Sequence, residues 1–258
     1  MSLLANTRGL IVGISTEHSI GFACARTMRA LGADVAVTYR PARAATAGPL
    51  AASLDCPHFP LDIDDPASIS ATFASLDRTF GRLDFVVHTL MHVPPGLLDR
   101  PLLDVSRTDL SRVLDVAVHS FVLLARHAHP LLTRSSSPRL VTLSSPCSHR
   151  MTPHYHVAGI AKAALESAVL YLAAELGPAG ILVNCVSPGL IDTDGAVSVL
   201  SAPVAASSRA HIARRAATRR PTELTDVAST VAWLSSPLAQ NLTGEVITVD
   251  GAFARSYF

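Results

Sequence analysis

Gly9-Leu-Ile-Val-Gly13-Ile-Ser-Thr-Glu-His-Ser-Ile-Gly21 is the stretch that decides the fold. Its apolar start is too short for a helix and is bounded by glycine, which marks a buried strand. Gly13 and Gly21 bracket a turn, and a helical pattern runs from Ile20 to Leu31. Asp34-Val-Ala-Val-Thr-Tyr39 is a second strand. The same alternation continues outward. Strands are predicted at His58 to Ile63, Leu83 to His88, Arg139 to Ser144, Ile181 to Val186 and Glu245 to Val249. Helices are predicted after Asp65-Pro66, over Thr108 to Leu132, Tyr155 to Leu176 and Thr222 to Leu234. Short apolar strands alternating with helices mean a parallel sheet covered on both faces. The expectation is an α/β protein with a Rossmann-type doubly wound parallel sheet of about seven strands. It forms one domain over 1–258, with a covering segment at about 194–221.

Composition narrows the function classes. The chain has 258 residues, 49% of them apolar, and a formal net charge of +1. That describes a globular protein without the basic surplus a nucleic-acid binder carries. No uninterrupted apolar run approaches the roughly 18 residues of a membrane span. Met1 to Arg8 lacks a charged start followed by an apolar core, so a cytoplasmic location is expected. Cys24, Cys56, Cys147 and Cys185 are scattered, and reduced thiols are expected. Histidines crowd the middle of the chain (His88, His92, His149, His154 and His156), but no closed ligand set suggests a metal.

A glycine at each end of a strand-to-helix turn lets backbone approach a pyrophosphate at a helix N-terminus. Gly13, Ile20 and Gly21 fit that role, and Ser19 adds a hydroxyl. After the second strand an NAD site calls for an acidic residue to hold the ribose 2′-hydroxyl. The chain instead has Tyr39-Arg-Pro-Ala-Arg43, and Arg40 and Arg43 suit a 2′-phosphate. NADPH is therefore the expected cofactor, with NADH as the alternative. Asp62, followed by Ile63, is placed either to reach the adenine edge or to share helix capping with Asp65.

Tyr155-His-Val-Ala-Gly-Ile-Ala-Lys162 contains the only lysine among twenty arginines. Arginine stays charged, whereas the pKa of a lysine moves when it is buried. Two helical turns separate the pair, which puts both on one helix face. There the ammonium is expected to favour the tyrosinate and lower the phenol pKa from roughly 10, making a proton donor usable near neutral pH.

Together these residues resemble the short-chain dehydrogenase/reductase superfamily, and more narrowly its enoyl-acyl-carrier-protein reductase branch, over nearly the whole chain. Six residues stand between Tyr155 and Lys162, as in that branch, where the ordinary family has three. The glycine loop and Val87-His-Thr-Leu90 are similar to the same branch. Ser187-Pro-Gly-Leu-Ile-Asp-Thr193 and Leu242 to Gly251 match segments shared by the superfamily. In one respect the chain departs from the branch. The best-known enoyl reductases carry a second tyrosine about ten residues before the first, and here Ser145 stands there. Leu143-Ser-Ser145 resembles the place where carbonyl reductases keep a catalytic serine. A divergent, NADPH-using enoyl reductase subgroup is similar to this chain in having Ser-Ser there.

The resemblance implies reduction of the 2,3 double bond of an enoyl thioester on acyl carrier protein or coenzyme A. Tyr155 would be the proton donor, with Lys162 holding the nicotinamide ribose and Ser145 as a second donor. It implies that Thr89, Leu143, Gly189, Ile191 and Thr193 help to hold the cofactor. A carbonyl reductase or alcohol dehydrogenase using Ser145, Tyr155 and Lys162 is the alternative. Between Gly195 and Thr222 there is no acidic residue and there are five arginines: Arg209, Arg214, Arg215, Arg219 and Arg220. They form either a solvated helix face or a landing patch for an anionic carrier. The long helix is apolar on more than one face, which calls for a second subunit, and the resemblance implies a homotetramer.

Overall fold

A computed structural model describes residues 2–193 and 202–255. Seven strands form one sheet: β1 Arg8–Val12, β2 Asp34–Tyr39, β3 His58–Pro60, β4 Phe85–His88, β5 Arg139–Leu143, β6 Leu182–Pro188 and β7 Val246–Val249. Every pairing is parallel, in the order β3-β2-β1-β4-β5-β6-β7. The helices are α1 Ile20–Ala30, α2 Ala44–Ser53, α3 Pro66–Phe80, α4 Arg107–Leu114, α5 Ser120–Leu132, α6 His156–Leu176, α7 Ala202–Arg215 and α8 Leu224–Leu234. The predicted doubly wound α/β fold is the one observed. Residues 194–201 of the predicted covering segment lie outside the described residues.

The alternation of side chains along each strand sorts the core into two layers. Ile11, Val35, Val37, Val87 and Val141 pack with α1, α2 and α8. Leu10, Val12, Ala36, Val86 and Leu140 pack with α3, α5 and α6. Both faces are thus covered, as a purely parallel sheet requires. Chain order reverses between β1 and β4, because β2 leaves β1 on one side and β4 lies on the other. This switch opens a crevice at the C-terminal strand ends.

Two predicted elements differ from those observed, and one helix was not predicted. The third strand stops at Pro60, because Asp62 turns the chain: its side chain accepts from Asp64 N at 3.0 Å, and Asp65 then caps α3 through Ala67 N at 2.9 Å. Helix α2 was not predicted. It contains Gly48 and Pro49 and has no side-chain cap, so its stability comes from packing Ala47 and Ala51 inward. The helix expected over Thr108 to Leu132 is interrupted by a π-helical turn, Asp115–His119. Ser120 Oγ donates to Val116 O at 2.6 Å, which gives that loosened turn a partner.

Part of the surplus apolar surface on this long helix is covered within the chain. Leu97 and Leu98 pack on Val113 and Ala117, together with Val157 and Ala161. The stretch His156–Ala179 is long and apolar enough to cross a membrane by length and composition. In the fold it is a core helix, burying Val157, Ala161, Leu165 and Val169 completely.

Gly9 lies where a Cβ would fall inside the ring of the fully buried Phe85. Gly9→Ala should therefore destabilise the protein by about 1–3 kcal/mol through overpacking. Chemical denaturation should show a lowered midpoint, whereas an unchanged midpoint would mean that the ring has room to move.

Candidate active site

The predicted site residues lie along the C-terminal edge of the sheet, over the crevice. Gly13 leaves β1 with φ +102°, and a Cβ there would stand 2.5 Å from Leu90 Cδ2. A Cβ on Gly21 would stand 2.8 Å from Gly13 O, so the first turn of α1 closes tightly on the loop. Thr89 fastens this corner to β4, donating from Oγ1 to Val12 O at 2.8 Å. Ser19 is the N-cap of α1: its Oγ accepts from Phe22 N at 3.3 Å and donates to Thr16 O at 2.7 Å. Its hydroxyl proton is thus used inside the loop. The amides of Ile20 and Gly21 open the helix, where N–H groups have no intrahelical acceptor.

At the other end of the crevice, Gly189 follows β6. A Cβ there would stand 2.7 Å from Thr222 Oγ1. Ile191 is buried, and Thr193 N donates to Ile191 O at 3.0 Å. Three buried hydroxyls among the described residues, Thr16 Oγ1, Ser187 Oγ and Ser235 Oγ, have no hydrogen-bond partner; Ser235 follows α8, and the other two are in segments along the crevice edge. Of those two, one lies in the glycine turn and the other at the end of β6. Orphaned buried hydroxyls and glycine-tight loops at both ends fit a dinucleotide laid along this edge.

Arg40 and Arg43 are exposed after β2. Arg112, on α4, is paired with Asp64 at 2.7 Å and holds that carboxyl below its usual range, with Arg40 adding to the effect. Burial, followed by the charges of Arg40, Arg112 and Arg43, pushes the His92 imidazole down. Arg40 and Arg43, from the turn after β2, and Arg112, from α4, therefore act together on His92. Asp62 is engaged in the turn described above, and Ile63 packs against the core layer of α3.

The residues expected to react, Ser145, Tyr155 and Lys162, surround the end of β5. Lys162 is 5% exposed, and its Nζ donates to Leu143 O at 2.7 Å. Burial pushes its pKa down to about 8, opposed by Cys185 and Glu166. Ser145 follows one residue after the strand's next position and caps the short turn Pro146–Ser148 through Cys147 N at 3.3 Å. Its hydroxyl lies beside the Tyr155 phenol and favours the charged form of the phenol.

The expected tuning of Tyr155 is overturned. Burial pushes its pKa up to about 12; Cys147 adds to the rise and Ser145 opposes it. The reason is local geometry. Tyr155 is the residue before α6, with φ −140° and ψ 15°, not a residue of its first turn. Lys162 points into the sheet toward Leu143 instead. The left-handed backbone of His154, φ 57°, delivers the chain to this position.

Sequence reading also missed a buried network behind the site. His88 lies wholly inside the fold, with Nδ1 2.8 Å from Thr142 Oγ1 and Nε2 2.8 Å from Ser120 Oγ. Because Ser120 gives its proton to Val116 O, Nε2 carries the hydrogen and donates. Burial, with the Lys162 charge adding, pushes His88 down to about 3 and keeps it neutral. No group of three or more potential metal ligands occurs among the described residues.

Of the five arginines in the basic segment, Arg209 pairs with Asp192 and Arg220 grips Asp226 at 2.5 and 2.8 Å. Arg219 donates to Arg214 O. Arg214 and Arg219 present exposed side chains, while Arg215 is half-buried.

Comparison with known proteins agrees with this geometry. The family model described as enoyl-(acyl carrier protein) reductase matches residues 13–253. The Rhizobium meliloti enoyl-[acyl-carrier-protein] reductase [NADH] 2 is 34% identical, over 97% of this chain and 92% of its own. The Salmonella typhimurium enoyl-[acyl-carrier-protein] reductase [NADH] FabI is 33% identical, over 98% and 96%. Among solved structures, the Bacillus cereus enoyl-acyl carrier protein reductase with NADP+ and indole naphthyridinone superposes with a TM-score of 0.94, at 30% identity and complete coverage of both chains. The Anaplasma phagocytophilum reductase in complex with NAD gives a TM-score of 0.90 at 31% identity, covering 99% of this chain and 97% of that one. On a family match from the glycine turn to the segment after the last strand, this chain belongs to the enoyl-(acyl carrier protein) reductases.

Proposed function

We propose that the protein reduces the 2,3 double bond of an enoyl thioester with a nicotinamide dinucleotide, in the cytoplasm. The observation that supports this most is the convergence of Ser145 and Tyr155 beside the anchored Lys162 at the end of β5. A bound reduced nicotinamide supplies the hydride. The chain's own residues handle the charge that develops on the thioester oxygen. Tyr155 has its pKa pushed up to about 12, so it is neutral at working pH and donates to that oxygen as an enolate forms. Ser145 has a single hydroxyl proton, which it turns from the phenol to the same oxygen when substrate is bound, making it the second donor there. Lysine has three donors; one of Lys162's is given to Leu143 O, and the others serve the nicotinamide ribose. Gly189, Ile191 and Thr193 hold the carboxamide end.

For the cofactor we infer NADPH over NADH. Relatives are named for NADH, and solved structures of relatives carry NADP+ or NAD. In this chain the support is Arg40 and Arg43, without an acidic residue at the end of β2. For the carrier, the exposed Arg214 and Arg219 suit an anionic protein such as acyl carrier protein. Ile160, Leu170 and Tyr171 on α6 and Val122 on α5 remain exposed apolar surface, and we assign them to contacts within a homotetramer.

NAD(P)H oxidation with crotonyl and acetoacetyl thioesters, measured side by side, tests the reaction. Ser145→Ala should cost about tenfold on the enoyl substrate, as for one lost hydrogen bond of ~1.4 kcal/mol. A loss of about 10²–10³-fold confined to a keto substrate, with no enoyl turnover, would instead establish the carbonyl reductase. Lys162→Arg keeps the charge but should lower turnover by about 10²–10⁴-fold, since the larger planar group cannot occupy the same buried site.

Arg40→Ala with Arg43→Ala should raise the KM for NADPH by about tenfold or more and leave that for NADH nearly unchanged. Equal loss for both cofactors, or a wild-type preference for NADH, would refute the 2′-phosphate assignment. Arg214→Glu with Arg219→Glu should raise the KM for a carrier-bound substrate and spare a short uncharged thioester, because exposed charges act over roughly 10 Å at 0.1 M salt. An equal effect on both substrates would point to a local folding defect.

A further inference from the structure

Glu166 stands one helical turn beyond Lys162 on α6, and its Oε1 accepts a 2.5 Å hydrogen bond from Ser144 Oγ. Ser144 is itself buried, and its N–H donates to Val186 O at 2.8 Å, continuing the β5–β6 ladder past the last strand pair. The residue before it, Leu143, holds Lys162, and the residue after it, Ser145, lies beside Tyr155. One carboxylate therefore grips the middle of the segment that orients both reacting groups. The same carboxylate, one turn along α6, acts on the ammonium through its charge and raises its pKa. The titratable groups around Lys162 are Glu166 on its own helix, Cys185 on β6 and His88 on β4. Burial, with Glu166 adding, pushes the Cys185 thiol up to about 12 against the opposing pull of Lys162, and His88 is neutral, so neither carries an anion where Lys162 titrates. Glu166 is the anion that remains.

We propose that Glu166 is a positioning residue for the reduction, acting through Lys162 by charge and through Ser144 by its hydrogen bond. A buried ammonium with one carbonyl partner pays a large desolvation cost, and a nearby carboxylate offsets it. Without that charge the neutral amine gains, so the alkaline limit of activity moves to lower pH. Without the hydrogen bond the Leu143–Ser145 segment loosens, and the Tyr155 donor loses its alignment. The proposal rests on the functional assignment above, because only that assignment makes Lys162 and Tyr155 the groups to be aligned.

Two variants separate the parts. E166Q keeps an oxygen for Ser144 Oγ and drops the charge, and E166A drops both. Lys162 is the only lysine, so protein grown with [13Cε]-lysine gives one side-chain signal whose midpoint reads this ammonium directly. The wild-type midpoint is expected near 8. In E166Q it should fall by about one unit, the low end for loss of a nearby opposite charge. The alkaline limb of kcat/KM should fall with it, while the rate well below that limb stays within about threefold of wild type. E166A should show the same shift and a further loss in kcat of about tenfold at every pH, as for one lost hydrogen bond. An unmoved lysine midpoint in E166Q overturns the proposal, as does an even loss in both variants with the limb in place. If E166A folds poorly, E166Q alone decides through its midpoint and limb. The lysine signal needs no substrate, so a wild type inactive on enoyl thioesters would sink the functional assignment while the Glu166–Lys162 coupling is still judged.

Discussion

The hydrogen bond from the buried Lys162 ammonium to Leu143 O joins α6 to the end of β5, with Tyr155 just ahead of the helix and Ser145 just past the strand. A charge this deep is tolerated only where partners compensate for lost water. Its surroundings supply them: a carbonyl at the strand end, the Glu166 carboxylate one turn on, and neighbours kept neutral by burial. The bond also fixes the register of α6 against β5. Helix rotation would pull the ammonium from its acceptor and leave both groups unpaired, so the alignment of the site is tied to the stability of the core.

The sheet topology explains why these groups meet where a long cofactor can lie. With β1 and β4 adjacent and their crossovers leaving in opposite directions, the strand ends between them stay open. Thr89 closes the floor of that opening by bonding Val12 O and Gly13 O. Arg40 and Arg43 lie beyond β2, and Ser145, Tyr155 and Lys162 lie at the end of β5, on opposite sides of the switch. An extended ligand is needed to span them, which suits a dinucleotide better than a mononucleotide.

Tyr155 shows how position changes the chemistry of a familiar pair. Seven positions along one helix face would put the phenol over the ammonium and lower its pKa. Placed ahead of the helix instead, it is governed by burial and by Ser145. A phenol held neutral is a hydrogen-bond donor, and an enolate oxygen requires stabilisation without full protonation during hydride transfer. The Ser145 hydroxyl opposes the rise in the phenol pKa and favours the charged form.

The strand pattern of the chain was legible because buried parallel strands are short, apolar and bounded by turn residues, and apolar residues of β1, β2 and β5 face one core layer or the other. The glycine turn, the arginines after β2 and the Tyr155–Lys162 spacing were legible as local patterns. Helix α2 was not, since Gly48 and Pro49 hide a helix that packing sustains. The π turn at Asp115–His119 depends on Ser120 and on His88, thirty-two positions away, which no local pattern encodes. Sequence by itself determined which residues could do the chemistry, because residue type and short-range spacing are written in it. Tertiary structure decided which way Lys162 points, what raises the Tyr155 pKa and that Glu166 binds Ser144, because burial and contacts between distant segments set those energies.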